Sequence, residues 1–134
     1  MNEIKTYPER SSGMKLSTDG GNNVNDIEQI MEQNANIILG KIGMCEVMAQ
    51  LAEEAAELAQ AALKYRRAVT GENPTPVSAE EAMEHLREEI ADVETCLMVA
   101  SDNIFEGWAE YVNLLAEKCE RWVKRFKETK RAEE

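Results

Sequence analysis

The chain has 134 residues and a net charge of −11, from 26 acidic and 15 basic side chains. That length fits one domain with a modest core. The charge excludes a general nucleic-acid binder, which needs a basic patch to neutralise phosphates. Hydrophobic residues make up 43% of the chain but aromatics only 5%, so the core must come from Ala, Leu, Ile, Val and Met, which suits closely packed helices. Cys45, Cys96 and Cys119 are odd in number and widely spaced. They form neither a zinc-ligand pattern nor a disulfide framework and read as reduced core thiols. No apolar run reads as a membrane span and the N-terminal stretch has no signal-peptide core, so the expected location is the cytoplasm, with no membrane partner.

In chain order, residues 1–24 are rich in Ser, Gly, Asn and Thr and read as a flexible tail. The remainder, 25–134, reads as one helical domain. A first helix is expected at about 26–39, with Asn25 and Glu28 in capping-box positions and Ile27, Ile30, Met31, Ile37 and Ile38 as a loose apolar stripe. Gly40 and Gly43 break it. A second helix is expected at about 44–70, through the segment QLAEEAAELAQAALKYRR, rich in strong helix formers. Leu51, Ala55, Leu58 and Ala62 define its apolar side, and Glu53 and Glu57 fall about 40° apart on the other, with Glu54 at the edge.

The loop GENPTP follows, and Ser78 caps a third helix with Glu81 reciprocating. That helix, about 79–102, has the stripe Ala82, Leu86, Ile90, Val93, Leu97 and Ala100. Glu89 projects only about 60° from the stripe's centre. Burying an unpaired carboxylate is costly, so Glu89 reads as a group that needs a cation. A fourth helix, about 106–128, carries the stripe Trp108, Val112, Leu115, Cys119, Trp122 and Phe126, with Lys118, Arg121 and Arg125 on one flank.

Two helices thus offer carboxylates one turn apart: Glu54 with Glu57, and Glu89 with Asp92. Facing each other, the pairs make an all-oxygen cage, which suits Mg²⁺ or Mn²⁺. A di-iron bundle is excluded, since it needs two Glu-x-x-His motifs and this chain has one histidine, His85, with Ala82 three residues before it. An acidic Mg²⁺ cage within a helical bundle points to phosphoanhydride chemistry, with Lys118, Arg121 and Arg125 as further phosphate-binding cations. Those three also suit a helix C-terminus, where basic groups complement the dipole. Trp108 and Trp122 have the spacing of a core or subunit interface, and His85 that of a helix surface.

The pattern Glu53-Glu54-x-x-Glu57 followed by Glu89-x-x-Asp92 resembles the EExxE…ExxD signature of the MazG-like all-α nucleoside triphosphate pyrophosphohydrolases, a group similar in these motifs to the dimeric dUTPases and the phosphoribosyl-ATP pyrophosphohydrolases. Lys118-x-x-Arg121 resembles the basic element that follows ExxD in MazG-like chains. The resemblance covers about residues 25–125, with a long connection, positions 58–88, between the two halves. It implies an all-α, four-helix-bundle-like fold completed by oligomerisation, as a homodimer or homotetramer. It implies hydrolysis of an NTP or dNTP between the α and β phosphates. Glu54, Glu57, Glu89 and Asp92 would be metal ligands, and Glu53 would bind a second metal or orient the attacking water. The competing reading is a non-catalytic acidic helical module that docks a partner or binds nucleotides in a regulatory role. It leaves Glu89 unexplained.

Overall fold

The structure, a computed structural model, describes residues 24–132. The tail expected at 1–24 lies almost wholly outside the described residues. The described chain is all-α, in three helices: α1, Val24–Thr70; α2, Ala79–Ile104; and α3, Trp108–Ala132. Asn25 lies inside α1 rather than capping it, because the helix already includes Val24.

The first two expected helices are the two halves of α1. They meet at Gly43, where φ is 77° and ψ is 164°. An L side chain rarely adopts that conformation and glycine does so at little cost, so of the two candidate breakers Gly43 is the break and Gly40 stays helical. Gly71 ends α1 at φ 69°, its N–H donating to the carbonyl of Arg67 at 2.9 Å, a left-handed C-terminal cap. The chain then turns back through residues 71–78 and α2 begins at the expected capping box. Ser78 Oγ accepts from the Glu81 N–H at 3.1 Å, and Glu81 Oε2 accepts from the Ser78 N–H at 2.8 Å.

α1 and α2 pack against each other as an antiparallel pair. Their shared core holds Ala35 and Val47 from α1 and Val99 and Ala100 from α2, with Leu39, Met44, Met48 and Met98 packed around them. The seam keeps Leu51, Leu58, Ala82, Leu86, Val93 and Ala100 of the expected stripes but is turned towards Glu54 and Glu89. On α1 it follows Val47, Leu51, Glu54, Leu58 and Ala61, while Ala55 and Ala62 are exposed. On α2 it follows Ala82, Leu86, Glu89, Val93, Cys96 and Ala100, while Ile90 is exposed. The apolar residues of both halves of α1 are mostly Ala, Ile, Leu and Met, so the apolar band is broad and its centre is set by the partner helix rather than by α1's own periodicity.

α3 lies along neither α1 nor α2. Only its first turn joins them, where Trp108 and Tyr111 cluster with Phe105 at the elbow after α2, ring centroids 5.0 and 5.5 Å apart. One chain therefore closes a helical hairpin and extends a third helix from it, rather than closing a four-helix bundle. Of the cysteines, Cys96 alone is a core thiol; Cys45 and Cys119 are exposed. One further expectation needs correcting. α1 is long and apolar enough to cross a membrane by length and composition alone. The break at Gly43 interrupts α1, and Ala35 and Val47 on either side of it pack against α2.

Candidate metal centre

The carboxylates meet in the α1–α2 seam. Glu54 comes from the middle of α1's second half and Glu89 from the middle of α2, both half-buried, and Asp92 stands one turn beyond Glu89 at the solvent edge. One oxygen from each of the three lies within 4.8 Å of the others. Oxygen ligands about 2.1 Å from a Mg²⁺ ion sit about 3 Å apart when adjacent and about 4.2 Å apart when opposite. Small side-chain rotations therefore close this trio on one ion. Gln50, one turn before Glu54, donates to Glu54 Oε1 at 2.6 Å and fixes that carboxylate, as partners behind a metal ligand commonly do.

Glu89 shows that the cluster is more than a solvated face. Its Oε2 is shut off from water and has no hydrogen-bond partner. A buried acceptor without a donor is costly, and an ionised one far more so. Burial is the main force that lifts the Glu89 pKa above its ordinary value; the neighbouring charges of Glu57, Asp92 and Glu54 push the same way and His85 opposes them weakly. Burial also raises the Cys96 thiol, helped by Glu54 and Asp92, and Cys96 lies outside the converging trio. The donor set is all oxygen, and it fits a hard divalent cation.

The other expected site residues are placed as follows. Glu57 is exposed and lines a cavity with Glu89. Glu53 is exposed, beside Glu54 but outside the converging trio. Lys118, Arg121 and Arg125 are exposed on α3, which does not bring them to the carboxylates within one chain. His85 is on the surface, its Nδ1 3.9 Å from Glu88 Oε2.

A cavity lies on each side of the trio. The one beside Glu57 and Glu89 has a volume of about 380 Å³ and is lined also by Gln60, Lys64, Arg67 and His85. The other, about 210 Å³ beside Glu54 and Asp92, is mainly apolar, with Ile38, Ile42, Val47 and Val99 in its walls. The first sets Lys64 and Arg67 against Glu57 and Glu89, and the second sets an apolar wall against Glu54 and Asp92. The sequence reading missed Lys64 and Arg67. Their signal was helical spacing: they lie seven and ten residues after Glu57, two and three turns along the same face. Comparison with family models, with curated proteins and with solved structures finds no match to this chain.

Proposed function

We propose that this chain is a Mg²⁺-dependent nucleoside triphosphate pyrophosphohydrolase, cytoplasmic, of the MazG-like kind that its EExxE…ExxD pattern resembles, with Mn²⁺ as an alternative ion. The observation that carries the proposal is the convergence of Glu54, Glu89 and Asp92 around a Glu89 oxygen that is buried with no partner. A bound cation would stabilise the ionised form of Glu89 against both its burial and the neighbouring carboxylates.

Glu54, Glu89 and Asp92 would hold the ion, with Glu57 reaching in from one turn along α1. Bound there, it would supply charge neutralisation and electrophilic polarisation at the phosphates. Lys64 and Arg67 bind the β and γ phosphates from the polar cavity, and the apolar cavity takes the nucleoside end. Water's oxygen bonds to the α phosphorus, the α–β bridging P–O bond breaks, and pyrophosphate leaves with the electron pair. Glu53, exposed beside the trio, takes the proton from the attacking water. The assembly is a homodimer or homotetramer.

The test is pyrophosphate release from a panel of NTPs and dNTPs, with Mg²⁺ and with EDTA. Metal-dependent release together with the matching monophosphate supports the proposal. A folded, Mg²⁺-binding protein that releases nothing from any nucleotide contradicts it and leaves a regulatory nucleotide-binding or docking role for the same carboxylates.

A further inference from the structure

The elbow between α2 and α3 lies on the far side of α2 from the carboxylate trio. At 100° per residue, Glu94, Met98 and Ser101 fall about 120 to 180° round the helix from Glu89. Phe105 ends α2 in an extended conformation, its N–H donating to the Ser101 carbonyl at 2.9 Å. Two further bonds fix the start of α3. The Glu106 N–H donates to Glu110 Oε2 at 2.6 Å, and the Tyr111 N–H donates to the Gly107 carbonyl at 3.4 Å. The elbow thus holds Phe105, Trp108 and Tyr111 as a tilted cluster, with Tyr111 in the middle at interplanar angles of 55° to Phe105 and 47° to Trp108.

The three rings wall a cavity of about 280 Å³ against α2, close to the lower size of a small-ligand pocket, about 300 Å³. Leu97 and Met98 add apolar lining, and Glu94 and Asp102 stand in the same wall. No Lys, Arg or His lines the cavity, and neither carboxylate is in an ion pair among the described residues. Packing of the elbow accounts for Phe105 and Tyr111, which are half-buried, but it leaves Trp108 76% exposed at the cavity. Aromatic faces beside unpaired carboxylates attract the same kind of group, a cation with an apolar body.

We propose that this cavity binds a linear aliphatic polyamine. Glu94 and Asp102 are eight residues apart, which at 1.5 Å per residue sets their backbone positions about 12 Å apart along α2. One metal ion needs its oxygen ligands within about 2.1 to 2.6 Å of it, so this spacing suits a molecule with a cation at each end and methylene groups between. An extended chain of about nine single bonds, each about 1.5 Å long, reaches about 11 Å. Its terminal ammonium groups pair with the two carboxylates and its methylenes lie against Leu97 and Met98. An internal ammonium takes the ring faces, which attract a cation within about 6 Å of their centroids. Ser101 Oγ donates to the Met98 carbonyl at 3.1 Å, which leaves its lone pairs to accept one of the ligand's N–H groups. The cavity shares no residue with the carboxylate trio or with the two cavities beside it, so the proposal does not depend on the hydrolysis reaction.

The test uses Trp108 as the reporter. The chain has two tryptophans, so Trp122→Phe leaves Trp108 alone to fluoresce. That full-length variant is titrated at fixed ionic strength with spermidine, with putrescine, a diamine of about half the span, and with Mg²⁺. Spermidine should change the Trp108 emission saturably, bind at least about 10-fold more tightly than putrescine, and stay bound in excess Mg²⁺. Combining Glu94→Gln with Asp102→Asn should weaken spermidine binding by at least about 10-fold, the scale of losing charge-assisted hydrogen bonds, at unchanged helix content by circular dichroism. Calorimetric titration of the wild type with the same three probes gives the answer even if Trp122→Phe disturbs the fold. Absence of saturable spermidine binding would overturn the proposal. So would equal affinity for spermidine and putrescine or displacement by Mg²⁺, which a general counter-ion atmosphere gives, or undiminished binding by the double variant.

Discussion

The α1–α2 seam and the α3 arm depart from single-chain economy in opposite ways. In the seam, Glu54 and Glu89 occupy positions that an ordinary helix pair gives to Leu or Val, and Glu89 Oε2 is buried without a donor. On the arm, Trp108, Trp122 and Phe126 occupy positions open to water. A buried polar group without a partner and an exposed apolar stripe without a cover are both costly. Each marks something the isolated chain does not supply. On the proposed reading a cation would satisfy the seam, whereas the arm's apolar side chains are uncovered among the described residues, so the two should respond to different perturbations.

The largest effect should come from neutralising the seam. Glu89→Gln and Asp92→Asn should each lower turnover by about 10³-fold in a steady-state pyrophosphate assay while the helices persist. Glu89→Gln should also leave the EDTA-treated melting temperature unchanged or higher, because it removes a buried carboxylate among others. Retained turnover in both variants would remove the seam from the chemistry. Next in size, Lys64→Ala combined with Arg67→Ala should raise KM by roughly 10- to 100-fold, the range for losing charge-assisted hydrogen bonds to phosphate. The association state should not change. An unchanged KM would move the phosphates elsewhere.

A smaller and more diagnostic effect is the dependence on pH. The folded, cation-free chain holds the Glu89 proton above the ordinary pKa of 4.5. Stability from that protonation is complete below about 4.5 and is lost as pH rises through the elevated value. The melting temperature in EDTA should therefore decline as pH rises from 4.5 towards neutrality, and the stabilisation by Mg²⁺ should grow over the same window. Glu89→Gln should flatten both trends. The smallest effect tests the scaffold. Ser78→Ala removes one side of the capping box at the start of α2 and should cost about 1 kcal/mol in a denaturant titration.

Local chemistry was the most legible part of the sequence. Ser78 with Glu81 and the left-handed Gly43 act through neighbours in the chain, and both appear where the residues place them. The facing of the helices was less legible. Ala55, Ala62 and Ile90 belong to the periodic stripes yet are exposed, because broad Ala- and Ile-rich bands fit more than one rotation and only the partner helix selects one. That same rotation brought Glu54 into the seam beside Glu89, a closeness that no single-helix pattern encodes. Lys118, Arg121 and Arg125 were read as neighbours of the carboxylates from their place after ExxD. Whether a third helix folds back is decided by packing between elements, and in one chain α3 does not. Lys64 and Arg67 stand on the same helix as Glu57 but were masked by their nearness to the helix end, where basic residues have an ordinary explanation.

If Glu54, Glu89 and Asp92 hold a divalent cation, calorimetric titration of Mg²⁺ and of Mn²⁺ into the EDTA-stripped, dialysed wild type at neutral pH should give saturable binding, and Glu89→Gln should lose it at unchanged helix content. Equal binding by both proteins, or none by the wild type, would mean that the seam holds no such ion.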